Sequence, residues 1–367
     1  MPLASAFARL MAMPAPSGLG AAVRSMGSRL RTRPRAAAPG GPALPAAAAR
    51  GVAEFCRDME GALAAARSGR CGAEMNAEVG AACERMKVTL TRCILNEPAT
   101  GEATGRRVLR DALPYLMTSA LFRRSYTKPR GYAGDFETIE MIYAAEPRGE
   151  GPVGRAIDAW NLGAATSRAV RSRRARMVQD VGAMLARHRA PEPLRITSLA
   201  AGSARELWDL FEALPGAPLQ ATAIDIDAGA IAFCAGEACR RSLGPDRVAL
   251  RQANLLRLAY GRAELPMPGQ DLVYSMGLID YLGDEVVVRL IDWAHGRLVL
   301  GGTLALGNFA AGNPERPYMD HVLDWKLVHR TPGELRQLFA RSRFGGAKVQ
   351  IDADASGIQL LACCVKG

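Results

Sequence analysis

The spacing of apolar residues divides most of the chain into two regions. Between about residues 54 and 188, Ala-rich segments such as VAEFCRDMEGALAAA and RVLRDALPYLMTSALF carry apolar residues at helical spacing, with Gly and Pro between them. This pattern predicts an α-helical domain over residues 53–190. From residue 191, short β-rich runs alternate with helical ones, and such strands pair in parallel through right-handed crossovers. We therefore predict a doubly wound α/β domain over residues 191–367.

Different patterns mark the two ends of the chain. The last segment, AKVQIDADASGIQLLACCVKG, predicts two strands joined by a short turn, and hence a C-terminal antiparallel hairpin. Residues 1–52 are rich in Ala, Pro, Gly and Arg, contain no acid and show little apolar periodicity, which predicts a disordered basic tail. No apolar run approaches the roughly 20 residues that cross a bilayer. We expect a cytoplasmic protein without a transmembrane segment.

Charge and composition narrow the range of ligands. The net charge is +11, but seven arginines precede the first acidic residue, Glu54, so the remainder of the chain is nearly balanced. A nucleic-acid partner is therefore not expected, since a domain that binds nucleic acid normally carries a basic face. The eight cysteines and four histidines show no CxxC pair or zinc-like spacing, so we expect no metal.

The segment ITSLAAGSARELWDL predicts a strand, a tight turn at Gly202 and a helix that begins near Arg205. Asp225 ends the next predicted strand, in ATAIDID, at a position where an acid can accept hydrogen bonds from both hydroxyls of a ribose. A pyrophosphate favours a turn richer in glycine than this one. The combination therefore favours S-adenosylmethionine over NAD as the cofactor.

The segments SLAAGSARE, AIDID, RQANLLRL, DLVYSMGLIDYL and LVLGGTLALGNF resemble the class I S-adenosylmethionine-dependent methyltransferases over residues 195–310. This resemblance implies a Rossmann-like sheet and a set of cofactor-binding residues around its strand ends. They are Ala200, Ala201 and Gly202 at the cofactor turn, Asp225 and Ile226 at the ribose, Asn254 and Leu255 at the adenine, and Ser275 and Met276 beside the methionine part. The chain departs from the usual pattern at Ser198, where an acid is common, and at Ala200 and Ala204, where glycines are common.

Three further segments, YTKPRGYAGDFETIEMIY, GLIDYL and GNFAAGNPERPYMDHVLDWKLVHRT, resemble a bacterial family of extracellular-factor, 3-hydroxypalmitic acid methyl ester biosynthesis proteins. The resemblance extends from about Glu54 to Gly367. It implies a helical region before the methyltransferase domain. It also implies that the methyl acceptor is the carboxylate of a fatty acid or a similar acyl compound.

The segment from Thr127 to Tyr143 has two interpretations. Its proline and glycines exclude an ordinary helix interior, and Asp135 is suitably placed as the N-cap of a helix FETIEMIYAAE. In the alternative interpretation the segment is a lid over the methyl donor and acceptor. Tyr126, Arg130 and Asp135 would then bind substrate, and Tyr132 would be catalytic.

A second substrate wall is predicted in PYMDHVLDWKLVH. If this segment is helical, Tyr318, His321 and Trp325 share one face, which either packs against the protein or contacts substrate. In the second case Tyr318 and Trp325 would bind substrate and His321 would be the candidate base, with His329 next. Asn308, at the end of its strand, could orient an acceptor.

A carboxylate is ionised at neutral pH and needs no general base, whereas a hydroxyl must lose a proton to one. The few histidines and the arginine at position 130 therefore favour a small-molecule O-methyltransferase, acting on a free or carrier-bound acyl carboxylate. Two alternatives stay open. One is an RNA or protein methyltransferase guided by the basic tail and the arginines from Arg168 to Arg176. The other is a non-catalytic regulatory protein that retains the fold, with Ser198, Ala200 and Ala204 as the departures from the usual pattern.

Overall fold

A computed structural model describes residues 45–367. In chain order, the first helices are α1 (Ala46–Arg67), α2 (Ala73–Asn96), α3 (Gly101–Leu116), α4 (Ala120–Thr127), α5 (Phe136–Ala144), α6 (Gly151–Gly163) and α7 (Ala165–Arg187). The elements that follow are β1 (Leu194–Leu199), α8 (Arg205–Ala213), β2 (Leu219–Asp225), α9 (Ala228–Arg240), β3 (Val248–Gln252), α10 (Leu255–Ala259), β4 (Gln270–Ser275), α11 (Asp284–His295), β5 (Leu298–Phe309), α12 (Arg316–His321), α13 (Pro332–Ala340), β6 (Val349–Ala353) and β7 (Gln359–Val365).

The described residues form two compact units. The helical unit contains 45–167 and Pro314–Lys326, and the sheet unit contains Arg168–Asn313 and Leu327–Gly367. This division differs from the predicted ranges 53–190 and 191–367, because Met177 and Val181 of α7 are buried in the core of the sheet unit. Similarly, Tyr318 of α12 is buried in the core of the helical unit. Helix α1 begins within the predicted tail 1–52, while residues 1–44 lie outside the described residues.

Several helices begin where a short polar side chain accepts a backbone N–H of the first turn, because these N–H groups have no partner within the helix. Ser119, Asp135, Asp227 and Asn254 act in this way at α4, α5, α9 and α10. Helix α13 begins with a capping box, in which Thr331 and Glu334 satisfy each other's backbone. Local sequence thus determines these helix starts.

The strands of the sheet unit form one seven-stranded sheet in the order β3-β2-β1-β4-β5-β7-β6. Strands β1 to β5 are parallel, whereas β7 pairs antiparallel with both β5 and β6. The predicted doubly wound, Rossmann-like sheet with a C-terminal antiparallel hairpin, preceded by helices, is confirmed.

The strand order places a ligand crevice at a defined edge of the sheet. From β1 the chain moves outward to β2 and β3, and then returns to the other side of β1 as β4. Ligands of such sheets bind outside the carboxyl ends of the strands at this reversal. A ligand site is therefore expected among the residues that follow β1, β2 and β4.

The core of the sheet unit is connected to the turn that follows β1 at this edge. Trp208 of α8 is fully buried, and its indole N–H donates to the carbonyl of Ser203 at 2.7 Å. Met177 of α7 and Tyr274 of β4 belong to the same core. This hydrogen bond therefore ties the turn after β1 to a large buried side chain.

Among the described residues, no helix has both the length and the apolar character that a membrane span requires.

Candidate functional site

The turn after β1 has an unusual backbone. Ala200, Gly202 and Ala204 all have positive φ, at 52°, 55° and 49°. This left-handed conformation favours glycine and is unfavourable by roughly 1–2 kcal/mol for a residue with a Cβ. The alternating pattern of small residues therefore has a physical cause, since every second residue of this turn is left-handed. Ala201 secures the turn by donating its N–H to the carbonyl of Ile224 on β2 at 3.0 Å.

Asp225, at the end of β2, connects directly to this turn. Its Oδ2 accepts the N–H of Gly202 at 2.8 Å and its Oδ1 accepts the N–H of Asp227 at 2.8 Å. Burial raises the pKa of the Asp225 carboxyl, and the two N–H groups oppose that shift. Asp227 has a different role, because its Oδ1 accepts the N–H of Gly229 and caps α9. Two predicted site residues 23 positions apart, Gly202 and Asp225, are thus in contact.

The predicted adenine residues lie at the end of β3, next to β2. The N–H of Ala253 donates to the carbonyl of Asp225 at 2.9 Å, which joins the two strand ends. Asn254 uses its Oδ1 to accept the N–H groups of Leu256 and Arg257, while Leu255 is buried. Ile226 is half-buried and accepts a hydrogen bond from Gln252 on its carbonyl. The Asn254 side chain therefore shapes this edge as a helix cap.

Ser275 and Met276 lie where β4 ends beside β1. The buried Ser275 hydroxyl donates to the carbonyl of Leu199 at 2.8 Å and ties the two strand ends together at the reversal of strand order. The carbonyl of Met276 accepts a hydrogen bond from Nη1 of Arg173, on α7, at 2.9 Å. The structure thus brings the strand-end residues predicted for the cofactor to one edge of the sheet.

Sequence reasoning missed two charged residues at this edge, Arg173 and Glu206. Glu206, in the first turn of α8, is buried, and its Oε1 accepts the hydroxyls of Tyr274 at 2.9 Å and Ser198 at 3.4 Å. Burial raises the pKa of the Glu206 carboxyl, whereas the Tyr274 hydroxyl and the positive charge of Arg173 lower it. The available sequence signal was an acid, Glu206, at the start of the helix that follows β1, a strand in which Ser198 stands where an acid is common.

Arg173 is held against the backbone that follows β4. A Cβ added to Gly277 would lie 2.7 Å from Nη1 of Arg173, so a larger residue at position 277 would displace the guanidinium from this place. The Nε of Arg173 is buried and has no hydrogen-bond partner among residues 45–367. In the sequence analysis Arg173 appears only as one member of the basic run from Arg168 to Arg176.

Asn308 is not placed to orient an acceptor, which corrects the sequence prediction. Its amide N donates to the carbonyls of Phe309 at 2.8 Å and Val328 at 2.9 Å, and its Oδ1 accepts from Arg330 at 2.7 Å. The side chain is fully buried. Asn308 therefore fixes the end of β5 to the segment that precedes α13.

His329 is a poor candidate base for the same kind of reason. Its Nδ1 lies 3.2 Å from the carbonyl of Leu327 and its Nε2 lies 3.2 Å from the amide N of Asn313. These partners select the tautomer that donates from Nδ1, and the Asn313 amide then occupies the lone pair of Nε2. The ring is buried and acts as a structural bridge.

In the helical unit, Asp135 is confirmed as the N-cap of α5. Its Oδ1 accepts the N–H of Thr138 at 2.9 Å, and both of its carboxylate oxygens accept from the Arg124 guanidinium. The side chain is 0% exposed. The prediction that Asp135 binds substrate is therefore wrong, because its carboxylate is enclosed by partners in its own unit.

Two other residues of the predicted lid, Arg130 and Tyr126, also have partners within the helical unit. The Arg130 guanidinium pairs with Glu137 at 2.7 Å and lies over the Phe136 ring at 4.6 Å from its centre. Tyr126 stacks on Phe122 with ring centres 5.7 Å apart. Tyr132 is half-buried. Contact of Tyr126, Arg130 and Tyr132 with substrate stays a prediction.

The predicted helical stripe of Tyr318, His321 and Trp325 is wrong, because α12 ends at His321 and Asp324 has a left-handed backbone at φ 49°. Trp325 thus lies beyond the helix and is half-buried. Tyr318 is buried edge-on against Trp160 at 5.4 Å, and its hydroxyl has no hydrogen-bond partner among residues 45–367. Tyr318 belongs to the core of the helical unit, which corrects its assignment to a substrate wall.

His321 packs closely on α3. A Cβ added to Gly105 would lie 2.3 Å from the Cβ of His321, and burial lowers the pKa of the imidazole. The ring is half-buried. Its contact with Gly105 gives His321 a packing role, and its role as a base stays a prediction.

Part of the chain matches a protein-family model. Residues 130–300 match the model of a family described as "Putative methyltransferase". Searching curated proteins finds no match to the chain.

Among solved structures, the chain is similar to a protein described as a possible exported protein from Bordetella parapertussis, at 16% identity and a TM-score of 0.49, over 89% of this chain and 97% of that one. It is also similar to magnesium protoporphyrin IX methyltransferase from Synechocystis PCC 6803, solved with S-adenosylhomocysteine, at 12% identity and a TM-score of 0.42. That similarity covers 56% of this chain and 88% of the other. A third similar structure is the N-methyltransferase NodS from Bradyrhizobium japonicum WM9, at 16% identity and a TM-score of 0.36, over 53% of this chain and 86% of that one.

Proposed function

We propose that this chain is an S-adenosylmethionine-dependent methyltransferase that acts on a small molecule. The observation that carries the proposal is the contact between the Asp225 carboxylate and the N–H of Gly202. Gly202 lies in a turn of small residues with left-handed backbone conformations, at the reversal of strand order. The match to a methyltransferase family model supports the same conclusion.

The residues at this edge fit the cofactor. Each oxygen of a carboxylate has two acceptor sites, and each Asp225 oxygen uses one of them for a backbone N–H, which leaves capacity for the two ribose hydroxyls. Ala200 is exposed, and Ala201 and Gly202 are partly exposed, so backbone is accessible at the turn. Ile226 follows Asp225 at the end of β2, on the side we assign to the ribose, and Asn254 lies at the neighbouring strand end, on the side we assign to the adenine.

When bound, S-adenosylmethionine supplies a methyl group on a positively charged sulfur. The contribution of this chain is then mainly to align the acceptor with that methyl group, because an in-line displacement depends on the relative positions of the reacting atoms. The turn after β1 and the Asp225 carboxylate would hold the nucleoside while the acceptor approaches.

For the acceptor we propose a carboxylate, that of a 3-hydroxy fatty acid or a similar acyl compound, which becomes a methyl ester. Two predicted polar groups, Asn308 and His329, are engaged in structural hydrogen bonds. A carboxylate acceptor is already ionised at neutral pH and needs no general base to remove a proton. The resemblance to the methyl ester biosynthesis family supports the same acceptor class.

Calorimetry with the full chain tests the cofactor. Asp225→Asn should weaken S-adenosylhomocysteine binding by about tenfold or more, because a charge-assisted acceptor of the ribose hydroxyls is lost. Asp227→Asn is the matched control, since asparagine also caps helices well and binding should stay at the wild-type value. Unchanged binding by a folded Asp225→Asn variant would contradict the ribose assignment.

Mass spectrometry tests the acceptor. The full chain is incubated with isotopically labelled S-adenosylmethionine and free, coenzyme-A-bound or carrier-bound 3-hydroxy fatty acids of several lengths. A labelled methyl ester is the expected product. Label found only in RNA or protein would contradict the proposed acceptor and favour the macromolecular alternative.

A further inference from the structure

We infer that Glu206 and Arg173 together bind the amino-acid end of the methyl donor, with Glu206 contacting its ammonium group and Arg173 its carboxylate. This inference rests on the proposed function and adds to it the residues that recognise one part of the cofactor. In the resemblance to class I methyltransferases, the acid expected near this end is replaced by Ser198. In the structure, the carboxylate of Glu206, on α8, lies beside the Ser198 hydroxyl.

The position of Glu206 supports this assignment. Ser198 on β1 and Tyr274 on β4 are register partners at the reversal of strand order, and the Glu206 carboxylate joins them through its Oε1. The Glu206 oxygen lies 3.4 Å from the Ser198 hydroxyl, so a carboxylate at position 198 and the carboxylate of Glu206 would compete for the same region. The substitution at Ser198 and the inward-facing Glu206 are therefore complementary.

The burial of Glu206 also supports this assignment. A carboxylate removed from water is costly unless a positive charge or several donors compensate for it. Two hydroxyl donors hold Glu206, and the nearby charge of Arg173 favours its ionised form, yet burial still raises its pKa. An ammonium group from a ligand would provide the counter-charge that this buried acid favours.

Arg173 supplies the complementary charge for the ligand carboxylate. One of its five N–H donors binds the carbonyl of Met276, and its buried Nε has no partner among residues 45–367. Gly277 allows the guanidinium to lie directly against the backbone after β4. The guanidinium is therefore anchored at the strand end assigned to the methionine part, and it retains donors suited to a carboxylate.

Glu206 and Arg173 thus form a recognition site for a zwitterion. The site predicts selectivity among adenosyl compounds, because S-adenosylhomocysteine carries the amino-acid group and 5′-methylthioadenosine lacks it. Loss of either charged residue should weaken binding of the first compound and leave binding of the second unchanged. A residue that only supports the turn would affect both compounds alike.

Calorimetric titration of the full chain with these two compounds is the test. Glu206→Gln and Arg173→Gln should each weaken S-adenosylhomocysteine binding by about tenfold or more, as expected when one member of a desolvated charge pair is removed. Both variants should bind 5′-methylthioadenosine like the wild type. Glu212→Gln, an exposed acid on the same helix α8, is the matched control and should bind both compounds normally.

A compensating variant sharpens the test. Adding Ser198→Asp to Glu206→Gln should restore S-adenosylhomocysteine binding toward the wild-type value, because the carboxylate returns from β1 to the same region. Failure of this double variant to improve on Glu206→Gln, while remaining folded by thermal unfolding, would contradict the placement of the ammonium group beside Ser198.

The outcomes separate the two proposals. If the wild type binds neither adenosyl compound, both the proposed function and this inference are overturned. If the wild type binds S-adenosylhomocysteine and both charge variants bind it equally well, only the inference is overturned. Equal weakening of both compounds would also overturn it, because Glu206 and Arg173 would then be acting through the turn.

Discussion

The turn after β1 shows how single residues set the shape of this site. Ala200 and Ala204 adopt left-handed backbone conformations that glycine adopts without strain. Between them, Gly202 lies in the same conformation and donates its N–H to Asp225. The two alanines thus keep the backbone path of a glycine-rich turn at an energetic cost.

Replacing Ala200 with glycine should therefore stabilise the fold. Glycine relieves the left-handed strain of roughly 1–2 kcal/mol and adds unfolded-state entropy that offsets about 0.5–1 kcal/mol of that gain. We expect a net increase of up to about 1 kcal/mol in the free energy of unfolding, measured with urea. Ala201→Gly, in the same turn but without a positive φ, is the control and should be destabilising. Equal effects at positions 200 and 201 would contradict the strain argument.

Asp280 gives a prediction about pH. Its buried carboxylate accepts the N–H of Phe309 at 2.7 Å, and burial raises its pKa to about 6 in spite of Arg173 and Arg330. Because the folded-state pKa lies above the unfolded one, this group contributes stability below pH ~4 that is lost as the pH rises through about 6. Asp280→Asn keeps an acceptor for Phe309 and removes the titration.

The stability of Asp280→Asn relative to wild type should accordingly increase between pH 4 and pH 7. Urea unfolding at four pH values across this range measures the difference. Two parallel stability profiles would show that Asp280 does not titrate with a raised pKa.

At the scale of elements, the segment that leads into α5 mainly stabilises the start of that helix. Asp135 caps the helix and forms a bidentate pair with Arg124, so the proline and glycines before it serve to bring the chain into that cap. The sequence had already indicated a cap here. The ion pair with Arg124 could not be foreseen, because it depends on how α4 and α5 pack.

Asp135→Ala should therefore be strongly destabilising. It removes the cap and leaves the half-buried Arg124 without one of its carboxylate partners, for which we expect a loss of about 3 kcal/mol in the free energy of unfolding. Asp135→Asn should lose less, since asparagine still caps the helix. Thermal unfolding of both variants is the measurement. An Asp135→Ala variant as stable as wild type, but inactive, would instead support the lid interpretation.

At the scale of the whole molecule, much of the excess positive charge lies before Glu54, in a part of the chain that is mostly outside the described residues. The cofactor edge of the sheet unit is built entirely from residues after Arg168. The proposed chemistry of the sheet edge and the basic segment can therefore be separated experimentally.

Removal of residues 1–44 should leave S-adenosylhomocysteine binding and methyl ester formation unchanged. RNA binding measured at several salt concentrations provides the discriminating control, since contacts with phosphates weaken steeply as salt increases. Steep salt-dependent RNA binding that disappears with the deletion, together with loss of methyl transfer, would favour the RNA methyltransferase alternative.

The sequence by itself determined the alternation of strands and helices, the hairpin at the C-terminus and the cap at Asp135. These features depend on apolar periodicity and on hydrogen bonds within a few residues, which a single sequence displays directly. It also indicated that Gly202 and Asp225 belong to one site, because parallel strands bring their carboxyl ends to the same edge.

Only the tertiary structure decided that the Glu206 carboxylate lies beside the Ser198 hydroxyl, that Arg173 lies against Gly277, and that Asn308 accepts a hydrogen bond from Arg330. These contacts join residues on different elements. Their side-chain directions depend on how α7, α8 and the sheet pack, and packing of this kind leaves no periodic trace in the sequence.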